Sequence, residues 1–454
     1  MQPLTIYEII KATGGKPLQE IKEDIPITDI TTDSRKAADG CLFIPLIGEN
    51  MDGHNFIGSA ISRGATACLT QNDAENTDAP MIKVSDTRKA LGDIARFYKE
   101  KYYVPSVGIT GSVGKTTTKD LVYSVLARHY NAHKTQRNFN NDIGVPQTIF
   151  GIEREHNMAV IEMGMNHFGE IEYLAGIAKP DIAIITNVGM SHIENLGSRE
   201  GILKAKLEIT KNFTEKNTLY INGDNDLLKT VKDTPYNVKT FGTGSSNDVY
   251  AKDIVTHGLD GVGFTVVYDK GEFRAEVLAP GAHNVYNALA AVCAGLHFGV
   301  SKEECIEGLK SCKYTDGRLE IIRHNGMEII SDCYNSSPDS IRAAVKVQKF
   351  TDAPKRVAVL GDVLEMGDYA PKAHYDVGAD IAKEGLDLLI TAGANARHIA
   401  KGAADAGMRN IKSYDTTEQA AQYLPTLVGE GDSILIKASH GMKFDKLVDE
   451  LTKM

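Results

Sequence analysis

The chain has 454 residues, 42% of them hydrophobic, and carries 60 acidic against 50 basic side chains for a formal net charge of −10. That balance excludes general nucleic-acid binding, which needs a cationic face toward the phosphate backbone. There is no run of about 18 apolar residues to cross a bilayer, and the six cysteines contain no C-x-x-C pair, so no membrane span, zinc site or disulfide framework is expected.

At about 150 residues per domain the length predicts three domains. No basic segment followed by an apolar stretch opens the chain, and a cytoplasmic location is expected. Residues 1–100 read as a small α/β domain, with Leu42–Leu46 and Ala65–Leu69 as strands and a boundary near Tyr102–Pro105. In residues 101–315, the short apolar runs Val107–Thr110, Met158–Glu162, Ile182–Val188 and Thr218–Asn222 alternate with helical patterns, as in a buried parallel sheet. Gly261–Tyr268 and Glu272–Leu278 flank Asp269-Lys270-Gly271 and predict an antiparallel hairpin extending that domain. Residues 316–454 hold four further strand candidates, Glu328–Ser331, Arg356–Leu360, Leu388–Thr391 and Ser433–Lys437, and predict a doubly wound, Rossmann-like domain. The fold class is therefore α/β throughout.

The most informative segment lies at the start of the central domain. Val107-Gly108-Ile109 leads into Thr110, Gly111, Ser112, Val113, Gly114, Lys115, Thr116 and Thr117, and then Leu121, Val122, Val125 and Leu126 recur at helical spacing. A strand, a glycine loop and a helix N-terminus form a phosphate cradle: backbone N–H groups face the anion, Lys115 reaches its outer phosphates and the Thr116 hydroxyl suits Mg²⁺. Ile109 stands where the strict G-x-x-x-x-G-K-[ST] pattern has glycine, so the loop uses Gly108, Gly111 and Gly114. A nucleoside triphosphate and magnesium are the ligands this predicts; the base is not specified by the loop.

Downstream, Glu162 ends a strand, at the rim where doubly wound sheets bind ligands, and is placed to ligate magnesium beside Thr116; the alternative is a cap on the next helix. His192, in Gly189-Met-Ser-His192 after the next strand, comes to the same rim. In Gly201–Ile209 the apolar positions Ile202, Leu203, Leu207 and Ile209 leave Lys204 and Lys206 partly free, and periodicity does not say which faces the nucleotide. Asn284 and Asn287 share one face at the start of an alanine-rich helix.

Taken together, the runs T-G-S-V-G-K-T-T, I-E-M-G-M-N-H-F-G-E-I, T-N-V-G-M-S-H-I-E-N, K-A-K-L-E-I, P-G-A-H-N-V-Y-N-A-L-A-A, D-G-R-L-E and L-G-D-V-L-E-M-G-D resemble the Mur ligases of bacterial cell-wall synthesis, over nearly the whole chain. Within that family Gln136–Pro146 and Leu360–Asp368 are similar to the member that adds D-alanyl-D-alanine to UDP-N-acetylmuramoyl-tripeptide. The resemblance implies an ATP-dependent amide ligase of peptidoglycan synthesis working through an acyl phosphate, monomeric and closing about a hinge near Tyr314–Gly317.

The resemblance further implies that Lys206 is carbamylated. Thr116 and Glu162 would then hold one magnesium ion, while Glu162, His192 and the modified Lys206 hold or support a second. Asn284, Asn287 and Asp332 are implied for ATP, against the alternatives that Asn284 or Asp332 merely caps a helix. Arg318 is implied for the γ-phosphate, against a surface pairing with Asp316 or Glu320. Ser34 and Arg35 would meet the UDP diphosphate; Asn138, Asn140, Asn141 and Asp142 would contact the muramoyl-peptide. Many relatives carry K-x-S-R where this chain reads Lys437-Ala-Ser439-His440, so an acceptor carboxylate would meet an imidazole there. Two rivals share the phosphate loop: a folylpolyglutamate synthase-like ligase and a non-catalytic nucleotide sensor.

Overall fold

The structure, a computed structural model, describes residues 1–73, 77, 79–315 and 319–453. Arg318 and Asp316 lie outside them. Three α/β domains follow one another, each organised on one main sheet.

The amino-terminal sheet runs Lys16–Pro17, Met81–Lys83, Ala67–Thr70, Cys41–Phe43, Asp29–Thr31, parallel except for its first strand. The two expected strands are shorter than read and Leu42–Leu46 stops before Pro45, whose ring removes a donor from the ladder. The helix Thr87–Lys101, capped by Asp86 on the Arg88 and Lys89 amides, presents buried Leu91, Ile94, Ala95 and Tyr98. These belong to the same apolar cluster as Val145, Ile149, Ile171 and Leu174 of the central domain, so this helix ties the first two domains together.

The central sheet has nine strands, in the order Ala132–Lys134, Met158–Glu162, Ser106–Thr110, Ile182–Ile185, Thr218–Asn222, Asn237–Gly242, Val249–Thr256, Val262–Tyr268, Gly271–Val277. The first seven are parallel and the last two form the expected hairpin, continuing the sheet antiparallel. Asn237–Gly242 and Val249–Thr256 lack an apolar run because several of their side chains face solvent. Ser106–Thr110 sits where the strand order reverses: the chain goes to one side for residues 132–162 and to the other for 182–256. That switch point opens a crevice at the strand carboxyl ends, and the glycine loop leaves the sheet into it.

The carboxyl-terminal sheet runs Glu320–His324, Met327–Ser331, Asp432–Lys437, Lys355–Gly361, Leu388–Ala392, Ile411–Tyr414. All four expected strands are present. The two additional ones are edge strands of mixed exposure, the first antiparallel. Ile341, Val377 and Ile399 belong to one apolar cluster, and Ala420, Phe444 and Leu447 to another, as a doubly wound sheet requires. All six cysteines are thiols, four of them buried. No helix among the described residues is long and apolar enough to cross a membrane.

Candidate functional site: a phosphate cradle beside a buried carboxylate

The loop conformation explains its glycines. Gly111 has φ +157° and a Cβ there would lie 1.8 Å from Thr186 Oγ1; Gly114 has φ +84° and a Cβ would meet Asn287 Oδ1 at 2.7 Å. The loop is braced by residues that follow the neighbouring strand. Ser112 N and Val113 N donate to Asn187 O and Oδ1 at 3.1 and 2.8 Å, Thr186 Oγ1 donates to Val113 O at 2.6 Å, and Gly189 N donates to Ser112 Oγ at 3.0 Å. Thr186 and Asn187 were not singled out from sequence, although they stand in the T-N-V-G run; only their contacts reveal the bracing. Lys115 opens the helix Lys115–Leu126 and its Nζ donates to Gly111 O at 2.8 Å. Leu121, Val122, Val125 and Leu126 are buried as the spacing predicts.

At the second residue of that helix, Thr116 Oγ1 donates to Glu162 Oε1 at 3.2 Å, and Asn140 Nδ2 donates to the same oxygen at 2.8 Å. Glu162 is 1% exposed, and its Oε2 is buried with no hydrogen-bond partner among the described residues. The helix after it is capped at Gly169, so Glu162 is not a cap. A buried carboxylate oxygen left without a donor is costly, and a hard cation would satisfy it. Among the described residues no three His, Cys, Asp or Glu side chains gather as a metal cage. A carboxylate beside a hydroxyl fits Mg²⁺, which binds through one or two carboxylates and keeps waters and phosphate oxygens. Thr110 Oγ1, at the strand end, is likewise buried and unpartnered among the described residues.

The two lysines of the following helix, Arg199–Leu207, separate sharply. Lys204 is exposed, its Nζ 5.8 Å from the Phe168 ring centroid. Lys206 is 1% exposed. Burial, reinforced by the like charge of Lys115, holds its pKa well below the usual lysine range. A solvated surface lysine is thus excluded at 206, and the amine there is a nucleophile in its neutral form. His192, at φ +63°, directs Nδ1 to Glu365 Oε2 of the carboxyl-terminal domain at 2.5 Å.

A cleft of about 500 Å³ opens between the central and carboxyl-terminal domains, lined by Ser112–Lys115, Thr117, Asn284, Asn287, Asp332 and Lys437 among others. Asn287 Nδ2 donates to Asn284 Oδ1 at 2.9 Å, and Asn284 Nδ2 to Pro280 O at 2.9 Å. Asn284 lies inside its helix and does not cap it. Asp332 is not a cap either; that role belongs to Ser337, while Asp332 Oδ2 receives Lys437 Nζ at 2.6 Å. His283, in the same lining, is pushed down to about 4 by burial.

The expected substrate residues are more dispersed. Arg35 is 83% exposed and forked onto Asp33, whose side chain also caps the turn Ser34–Lys36. Asn138 lends its carbonyl to Asn140 N at 2.7 Å; Asn141 Oδ1 accepts from Gly144 N at 2.8 Å; Asp142 pairs with Arg88 on the helix Thr87–Lys101. Of this group only Asn140 reaches Glu162. His440 is exposed, its ring 6.0 Å from that of Tyr334. One buried group had no sequence signal: Asp120 receives Lys134 Nζ at 2.6 Å, Thr315 N at 2.9 Å and Thr315 Oγ1 at 2.8 Å, pinning the segment that leads into the carboxyl-terminal domain.

Comparison with known proteins agrees with this layout. Residues 26–99 match a Mur ligase family catalytic domain, 109–295 the Mur ligase middle domain, and 317–440 the Mur ligase glutamate ligase domain. The chain is 40% identical over 451 residues to a UDP-N-acetylmuramoyl-tripeptide–D-alanyl-D-alanine ligase of Bacillus subtilis, covering 98% of this chain and 97% of that one. A protein of the same name from Synechocystis is 35% identical, with 95% and 93% covered. Among solved structures, MurF from Acinetobacter baumannii superposes with a TM-score of 0.93 at 32% identity over 100% of both chains. MurF from Thermotoga maritima in complex with ADP gives 0.83 at 27%, covering 94% of this chain and 97% of that one.

Proposed function

Because the chain belongs to the Mur ligase family, we propose that it is the ATP-dependent ligase joining D-alanyl-D-alanine to UDP-N-acetylmuramoyl-tripeptide. The carrying observation is the meeting of a phosphate loop with a buried carboxylate, Thr116 on Glu162, beside a cleft shared with the carboxyl-terminal domain.

A peptide carboxylate at neutral pH is a poor electrophile. Transfer of the γ-phosphoryl group from ATP to that carboxylate gives an acyl phosphate and ADP. The amine of D-alanyl-D-alanine then attacks the acyl carbon, a C–N bond forms, the C–O bond to phosphate breaks and the amine proton is lost to water. The loop amides and Lys115 hold the triphosphate; Asn284, Asn287 and Asp332 line the nucleotide end of the cleft. Thr116 and Glu162, with His192 and the modified Lys206, would hold magnesium, which would supply charge neutralisation on the phosphoryl oxygens. The neutral Lys206 amine would take up carbon dioxide and release a proton, replacing a buried amine with an anion suited to the hard metal. Arg318 is assigned to the γ-phosphate, Ser34 and Arg35 to the UDP diphosphate, and Asn138, Asn140, Asn141 and Asp142 to the muramoyl-peptide. The protein acts in the cytoplasm as a monomer of domains 1–100, 101–315 and 316–454.

The test is phosphate release with ATP, magnesium, UDP-N-acetylmuramoyl-tripeptide and D-alanyl-D-alanine. Release that needs all three substrates supports the ligase; release with a folate and glutamate instead, or none with any acceptor, refutes it. Closure of the carboxyl-terminal domain about residues 314–317 is part of the reading, and solution scattering with nucleotide analogue and muramoyl substrate should show a more compact particle than without them.

A further inference from the structure

The L-G-D-V-L-E-M-G-D run, Leu360–Asp368, has no role in the chemistry above, yet it makes a close contact with it across the domain boundary. Glu365 Oε2 lies 2.5 Å from His192 Nδ1. The rest of the turn docks alongside: Glu194 N donates to Glu365 O at 3.4 Å, and Tyr369 Oη donates to Gly197 O at 3.0 Å. Both partners hold left-handed backbone, φ +63° at His192 and +60° at Glu365, a conformation non-glycine residues keep only where surroundings over-determine it. In the imidazole–carboxylate pair an ionised carboxylate only accepts, so a neutral ring held by it carries its hydrogen on Nδ1 and keeps the lone pair on Nε2. Metal-facing histidines are oriented by this kind of partner.

We propose that Glu365 is a positioning residue: supplied by the carboxyl-terminal domain, it holds His192 with Nε2 presented to the magnesium site, so that the imidazole is oriented only while the two domains are docked. This rests on the ligase reading for its kinetic part, but not for its structural part. The carboxylate adds no contact to substrate; its effect passes through one ring. Among the described residues Glu365 is the side chain that meets that nitrogen, and it is half-exposed, so its removal leaves no sealed cavity.

The experiment compares the full-length protein with Glu365→Ala and Glu365→Gln, using ¹⁵N spectra of labelled histidines without metal, alongside steady-state kinetics and thermal melting. Assignment of the His192 signal comes from its loss in His192→Gln. Glu365→Ala is expected to shift the His192 signals away from the Nδ1–H form and to lower kcat by about 10- to 100-fold, with the KM for ATP little changed. Glu365→Gln, which keeps an acceptor oxygen, is expected to retain the Nδ1–H signature and most of kcat. Unchanged His192 signals in Glu365→Ala overturn the proposal whatever the rate does, and so does a kcat within about threefold of the parent. If the parent itself releases no phosphate the ligase reading fails, and the nitrogen signals alone then decide the positioning claim. Equal loss of kcat in both variants with a parallel fall in melting temperature would show a merely structural contact and would also overturn it.

Discussion

Gly114 and Asn287 are fitted to one another: the glycine, at φ +84°, passes so close that any Cβ would sit 2.7 Å from the asparagine Oδ1. That oxygen also accepts from Thr118 Oγ1 at 3.1 Å, and the asparagine amide reaches Asn284. The phosphate-loop helix and the alanine-rich helix are therefore registered by one buried side chain at the point where a nucleotide would meet both.

Gly114→Ala should suffer twice, from left-handed backbone and from that collision. A cost of about 1–3 kcal/mol is expected from the strain alone, with ATP-dependent turnover lost before overall folding. Denaturant unfolding and ATP titration of the variant check this; wild-type nucleotide affinity in Gly114→Ala would refute the fit.

Lys206→Ala removes a fully buried amine and should lower kcat by about 10²- to 10³-fold, the scale for losing a charge-stabilising group at a reacting centre. Added short carboxylic acids should restore part of the rate if a carbamate normally fills the space. The exposed neighbour is the control: Lys204→Ala should cost little. Full activity in Lys206→Ala sinks the assignment.

Asp120 is 1% exposed and holds Lys134 and Thr315. Its removal takes the carboxylate from the Lys134 ammonium and leaves the fully buried Lys119 Nζ, 3.5 Å away, without its ion-pair partner. Asp120→Ala should destabilise by about 3–5 kcal/mol, as expected when one partner of a buried pair is deleted, while Asp120→Asn, which keeps the bonds to Thr315, should cost less. Equilibrium urea melts discriminate the two.

Acid sensitivity should be traceable to His133. Its Nε2 donates to Thr148 O at 2.9 Å, and burial, with His156 adding like charge, pushes its pKa down to about 4. An unfolded histidine takes its proton near 6.5, so between about pH 6.5 and 4 the unfolded chain binds more protons than the folded one. Stability then rises with pH across that window and is flat above it. His133→Asn should lose less melting temperature between pH 7 and pH 5 than the parent. An identical pH dependence in both proteins would exclude this histidine as a cause.

The elements and residues separate cleanly by what they depend on. The strand–loop–helix at 106–126, the acid at the end of 158–162 and the hairpin at 262–277 are local patterns, set by apolar run length, glycine spacing and helical period. These are readable in a linear string because the interactions that create them lie within a few residues. Periodicity could not choose between Lys204 and Lys206, since the helix face that is buried depends on which element packs over it. It could not see Asp120, whose partners Lys134 and Thr315 come from distant segments. The edge strands 320–324 and 411–414 escaped for the same reason: half-exposed side chains carry no alternating signal, and only pairing with a formed neighbour makes them strands. Composition and motif order thus determined the chemistry the chain is equipped for. Tertiary packing decided which of its groups are desolvated, and desolvation lowers the pKa of Lys206 and leaves a Glu162 oxygen without a donor among the described residues.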